Sequence, residues 1–163
     1  MSTDEPRWLD DEEQQTWLAM ISMTVSLPAA LDAQLQRDAG ISHFEYQVLA
    51  GLSMSPERTL RMSDLAGFAE ASLSRLSHTA KRLEGKGWLT RTPDPADGRF
   101  TLATLTDDGW DKVVATAPGH VAEVRRLLID PLTKTQARHL REISRRVNDA
   151  INPQRTCPPM LGT

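Results

Sequence analysis

The sequence predicts a mainly α-helical protein with one small β-hairpin. Three observations predict it. Apolar residues recur at helical spacing through most of the 163 residues. Only two short runs, near 88–91 and 100–105, read as strands around a polar loop. Capping signals stand before several of the helical runs. Hydrophobic residues make up 39% and charged residues 25%, which suits a packed core and not a disordered chain.

The first helix is expected from about Asp11 to about Asp38, with Gly40 as its stop signal. Trp17, Met20, Ile21, Val25, Leu31 and Leu35 mark its apolar face, and Pro28 is expected to kink or split it. That face is broad and rich in Met and Trp, more than a small domain needs for itself, so a subunit interface is expected. Ser42 and Glu45 have capping-box spacing and open a second helix that buries Phe44, Val48, Leu49 and Leu52. A turn around Pro56 and a very short strand at 59–61 follow. Ser63 is expected to cap a third helix carrying Leu65, Ala66 and Phe68, and Ser72 a fourth. Two short helices joined by a tight turn make a helix-turn-helix. Gly85 and Gly87 end the fourth helix. The loop at 92–99 holds Pro93, Pro95 and Gly98, so it projects between its two strands. Thr106 caps a fifth helix, with Asp107 and Asp108 at the positive end of its dipole. Pro118 and Gly119 are expected to bend that helix midway. Thr133 and Gln136 box the start of a last helix with Ala137, Leu140, Ile143, Val147 and Ile151 at helical spacing. The tail from Asn152 onward holds three prolines and is expected to be loose.

Net charge is −3, but it is unevenly spread. Residues 1–13 hold six acids against Arg7, whereas residues 72–99 hold six bases against three acids. Local field, not net charge, steers a polyanion. A single cysteine, Cys157, excludes an intramolecular disulfide and a cysteine-rich zinc site. The charge-free run from Gln14 to Leu31 follows an acidic segment and contains Gln, Ser, Thr and Pro28. It reads as a buried helix of an intracellular, cytoplasmic protein rather than a signal peptide or membrane span. There is no Gly-rich phosphate loop, nucleophile elbow or paired-carboxylate spacing, so no enzyme and no cofactor is expected.

The fourth helix carries the most pointed chemistry. Leu76, Ala80 and Leu83 must face the core. Arg75, His78 and Arg82 are then expected on the opposite face, with Ser74 and Lys81 flanking. An arginine there can fork onto a guanine edge, while Lys81 and Arg82 suit phosphates. Arg99 sits at the loop tip, where Asp97 can hold it for a narrow, electronegative minor groove. A basic face alone is common on globular proteins; the tip arginine is what favours double-stranded DNA.

Three pieces in register carry a family resemblance: Arg82-Leu83-Glu84 with Gly87 and then Arg91; Asp94-Pro95-Ala96-Asp97-Gly98-Arg99; and Leu105-Thr106-Asp107-Asp108-Gly109. They resemble the MarR family of winged helix-turn-helix transcriptional regulators, from about Trp17 to Ile151. The resemblance implies a winged helix-turn-helix with N- and C-terminal dimerisation helices. Its divisions would be 1–40 (dimerisation), 41–108 (DNA binding), 109–152 (dimerisation) and 153–163 (flexible tail). It further implies a homodimeric repressor on a pseudo-palindromic operator. Ser72, Ser74, Arg75, Ser77, His78, Lys81, Arg82, Arg91, Asp97 and Arg99 form the expected DNA-binding set. Many members have Thr-Arg where this chain has Ser77-His78, so the resemblance carries over no operator sequence. Small aromatic or phenolic acids often switch the family, and Trp17, Met20, His43, Tyr46 and His120 are the candidate lining residues. A metal-responsive regulator is the first alternative, although the four histidines form no ligand spacing; a winged-helix protein-interaction module is the second.

Overall fold

The structure is a computed structural model, and it describes residues 6–153. Cys157, Asp4, Glu5 and the rest of the tail beyond Pro153 lie outside the described residues. Six helices and a three-stranded antiparallel sheet follow one another: α1 (Asp11–Ala39), α2 (His43–Ser53), β1 (Thr59–Arg61), α3 (Met62–Phe68), α4 (Leu73–Gly85), β2 (Leu89–Pro93), β3 (Thr101–Leu105), α5 (Asp107–Val124) and α6 (Lys134–Ile151). The strand order is β1-β3-β2, with Leu89 opposite Leu105 and Leu60 opposite Ala103.

Local chemistry sets the helix starts. Ser42, Ser72, Thr106 and Thr133 each accept a hydrogen bond from the backbone N–H three residues on, and Ser42–Glu45 and Thr133–Gln136 close full capping boxes. Asp10 and Glu13 do the same for α1. Gly40 ends α1 in the left-handed conformation that a residue without a Cβ adopts freely.

The expected split at Pro28 and the expected Ser63 cap are corrected. Neither Pro28 nor the Pro118-Gly119 pair interrupts its helix. Each proline removes the donor to the carbonyl four residues earlier, Thr24 and Val114, and both of those residues are exposed, so water can serve the carbonyl instead. The irregularity after α5 is a π-helical turn at Arg125–Ile129. Ser63 caps nothing, because β1 runs straight into α3 and Arg61 takes the N-cap position. Phe68 of α3 lies at the surface with its ring against Gly51, where a Cβ would collide with it.

The core is one cluster joining α2, α3, α4, the sheet and α5. Val48, Leu49, Leu52, Leu65, Leu76, Ala80, Leu83 and Ala103 are fully buried in it. A smaller cluster of Leu35, Ile41 and Tyr46 ties the end of α1 to α2. The rest of α1 is uncovered: Trp17 is 49% and Val25 67% exposed. An 18-residue stretch of α1 has mean hydropathy 1.3, long and apolar enough by composition to cross a membrane. Helix α6 buries none of its residues, and Ile143 is 56% exposed.

Two of the sequence motifs acquire a structural reason here. In Leu105-Thr106-Asp107-Asp108-Gly109, the Thr106 hydroxyl donates to the Gly87 carbonyl at 2.6 Å and accepts from the Gly109 N–H. The Thr106 N–H donates to the Trp88 carbonyl, and that carbonyl lies where a Cβ on Gly109 would be. The start of α5 is thus locked onto the turn that follows α4. Gly87, at φ 76°, lies in the turn from α4 into β2. Replacing Gly109 with alanine would force the methyl into backbone rather than into a yielding side chain. It is expected to lower stability by about 3 kcal/mol, seen as a reduced urea midpoint at unchanged slope; a wild-type midpoint would refute the close approach.

Candidate nucleic-acid interface

Helix α4 is amphipathic, and its rotation is fixed from three sides. Leu76, Thr79, Ala80 and Leu83 face the core. On the side toward α2, the Arg75 guanidinium lies 4.0 Å over the Phe44 ring. There too, the buried carboxylate of Glu45 lies 3.5 Å from Arg82 and 3.6 Å from Lys86. On the other side, Glu84 accepts from the Arg91 backbone N–H and from its guanidinium at 2.8 Å. That bond set binds α4 to β2 and holds the Glu84 carboxyl below the usual carboxylate range.

This rotation differs from the sequence expectation. At about 100° per residue, Arg75 and Arg82 fall on the flank toward α2, and both engage partners there. Ser74, His78 and Lys81 are the residues turned directly away from the core, and all three are exposed. Lys81 makes no ion pair among the described residues. Ser77 lies on the flank toward the β-hairpin.

The loop between β2 and β3 is a compact wing. Arg99 donates from Nε and Nη2 to Asp97 at 2.9 and 2.7 Å, as the spacing of two residues predicts. The pairing holds the Asp97 carboxyl below its ordinary range. Asp94 is only 7% exposed; its carboxylate accepts from the Ala96 N–H at 2.9 Å and from Arg61. Arg99, Phe100 and Thr101 from the wing and Leu73 and Ser77 from α4 line one cleft of about 370 Å³, with Arg91 at its wall. Helix and wing tip therefore border the same space.

A second cleft, of about 730 Å³, lies between α1, α2 and α4. Pro28, Asp32, His43 and Phe44 line one side and Arg75, His78 and Arg82 the other. Of the five candidate effector residues, His43 lines this cleft, and Tyr46 and His120 pack beside His43 without lining the cleft. His120 of α5 lies with its ring centroid 4.5 Å from Tyr46 and 5.7 Å from His43, and Asp32 accepts from the His43 backbone N–H. Trp17 and Met20 are not among them within one chain. At about 1.5 Å per residue along a helix, they sit roughly 18–22 Å from Asp32. Arg75, Arg82, Phe44 and Asp32 line the cleft without having been expected to. Only the long-range packing of α4 against α2 puts them there, and no local pattern signals it. Among the described residues, no three of His, Cys, Asp and Glu come close enough together to hold a metal ion.

A sequence model of the MarR family matches residues 41–101. The solved structure of Sco3205 from Streptomyces coelicolor, in complex with DNA, is 47% identical and covers 93% of this chain and 95% of that one, with TM-score 0.89. AbsC from the same organism is 34% identical, covering 91% and 100%, with TM-score 0.86. Both are MarR family transcriptional regulators. The chain belongs to the MarR family. The HTH-type regulator PecS of Dickeya dadantii is 30% identical over 108 residues, 66% of this chain. The chain spans 54–64% of the length of such curated relatives. The MarR fold accounts for the mostly helical chain and its small three-stranded sheet.

Burial lowers the pKa of both His43 and His120 below 6.5; the proximity of His43 lowers His120 further, while Asp32 partly opposes the shift at His43. A histidine with a depressed folded pKa is neutral in the fold and takes its proton more readily when unfolded. Stability is therefore full above 6.5 and declines as the pH falls below it. Urea midpoints at roughly pH 5 and pH 7.5 should differ more for the wild type than for His120→Gln; equal differences would remove His120 from the account.

Proposed function

We propose that this MarR family chain is a homodimeric, sequence-specific binder of double-stranded DNA acting as a repressor, released by a small anionic aromatic ligand. The observation that carries the DNA reading is the shared cleft of α4 and the wing. A helix presenting Ser74, His78 and Lys81, beside a tip arginine held by Asp97, suits a major groove and the adjoining minor groove. A protein-interaction module has no need of an exposed charged face centred on a recognition helix. In this reading Ser72, Ser74, Ser77 and His78 lie at base edges or flanking phosphates, Arg75 approaches from the α2 side, Lys81 meets phosphate, and Arg99 enters the minor groove. Arg82 and Arg91, already paired with Glu45 and Glu84, chiefly hold the helix and wing in place.

The dimer reading rests on α1 and α6. Their apolar faces are uncovered in the single chain, and apolar area of that extent asks for a partner. Residues 1–40 and 109–152 would supply the interface and 41–108 the DNA-binding unit. A second copy, rather than a lipid bilayer, then covers the apolar stretch of α1 in a cytoplasmic protein. Arg138, Arg141, Arg145 and Arg146 of α6 make no ion pair among the described residues, and the acidic start of α1 is their natural complement across the dimer. The ligand reading rests on the larger cleft, whose Arg75 and Arg82 suit a carboxylate and whose Phe44 and Pro28 suit a ring. An occupant touching both α1 and α4 could shift the recognition helix relative to the dimer.

Selection from random duplexes, with and without a panel of small aromatic acids, tests the whole. Lys81→Ala should weaken all duplexes about equally and reduce the salt slope by about one. His78→Ala should relax preference at one position per half-site, by about 1–3 kcal/mol. If both variants bind every duplex as the wild type does, α4 is not the reading helix. Val25→Glu should yield a monomer in sedimentation equilibrium. Raising the salt should weaken wild-type association, and indifference to salt would count against the α1–α6 ion pairs.

A further inference from the structure

Arg61 occupies an unusual place. It is the last residue of β1 and the N-cap residue of α3, so its backbone belongs to the helix-turn-helix. Its side chain belongs to the wing. Strand β3 lies between β1 and β2, so reaching the end of β2 means crossing two strand spacings, roughly 9–10 Å. Only a long side chain does so. The Arg61 guanidinium donates from Nε to Asp94 Oδ2 at 2.9 Å, with Nη2 2.8 Å from the same oxygen. It also stacks 4.4 Å over the Phe100 ring.

These two contacts grip both roots of the wing. The Asp94 N–H donates to the Phe100 carbonyl, and the Phe100 N–H donates to the Asp97 carbonyl. Asp97 in turn holds Arg99. The route from Arg61 to the tip is thus Arg61 to Asp94 and Phe100, then Asp97, then Arg99. The carboxylate of Asp94 is almost wholly buried, so without Arg61 it would be left with the Ala96 N–H as its main partner.

We propose that Arg61 is the positioning residue of the wing, fixing Arg99 relative to the helix-turn-helix before DNA arrives. The proposal rests on the DNA-binding reading above. A loop ordered in advance loses less on binding than one ordered by its partner. The competing role is direct: Arg61 is partly exposed and could meet a phosphate itself. The two roles differ in their salt signature, since losing a phosphate contact lowers the slope by about one and losing a positioning contact does not.

The test uses the full chain with Arg61→Gln, Arg61→Lys, Asp94→Asn and the double variant Arg61→Gln/Asp94→Asn. Amide exchange at Ala96 and Phe100 is measured in the free protein, and DNA binding is measured across salt concentrations. Arg61→Gln should speed exchange at both amides and weaken DNA binding about tenfold at unchanged salt slope. Arg61→Lys, which keeps the charge and most of the reach but not the planar fork, should recover part of the loss. Asp94→Asn should lose as much as Arg61→Gln, and the double variant no more than either. Unchanged exchange in Arg61→Gln, additive losses, or a slope reduced by one would each overturn the proposal. A wild-type chain that binds no duplex would instead overturn the DNA reading, while the exchange measurement still judges the clamp.

Discussion

The face that this protein is proposed to turn toward DNA depends on the rotation of α4 about its own axis. One face is settled by burial, because Leu76, Ala80 and Leu83 have no exposed surface. Burial alone leaves latitude on the flanks, and two carboxylates remove it. Glu45 is buried, and a buried carboxylate without cations nearby is costly, so Arg82 and Lys86 are drawn to it. Glu84 serves the opposite flank by holding both the backbone and the side chain of Arg91. The Arg-Leu-Glu run is therefore a set of three fastenings in three directions. What remains outward, Ser74, His78 and Lys81, is what the fastenings leave over.

Much of this fold is legible in the sequence, and the reason is range. The Ser42, Ser72, Thr106 and Thr133 caps act over three residues, and the Asp97–Arg99 pair over two, so spacing reveals them. The Leu-Thr-x-x-Gly run is visible as a pattern, but its meaning, contact with the Trp88 carbonyl, is not. Glu45 with Arg82, Arg61 with Asp94 and Arg75 with Phe44 join residues far apart in sequence, and no local pattern announces them. Pro28 does not split α1, and the exposure of Thr24 lets water serve the carbonyl that the proline leaves without a donor. Trp17 and Met20 lie several turns from the cleft within one chain, and aromatic and sulfur-bearing residues on one long helix look alike in sequence wherever along it they stand.

The pairing of the arginines also bears on how a chain of net charge −3 would address a polyanion in the proposed reading. Arg82, Lys86, Arg91 and Arg99 each face a carboxylate, so the long-range attraction of this segment is weaker than its count of bases suggests. Pairing does not remove the donors, however. Arg99 gives Nε and one Nη2 proton to Asp97, leaving Nη1 and the second Nη2 proton for a groove. A guanidinium held this way gives up some charge and keeps its direction. Affinity then rests less on bulk attraction than on a few groups already aimed. In the proposed DNA reading, that places the burden of recognition on the rigidity of the wing and of α4, and makes the internal contacts of both as consequential as their outward groups.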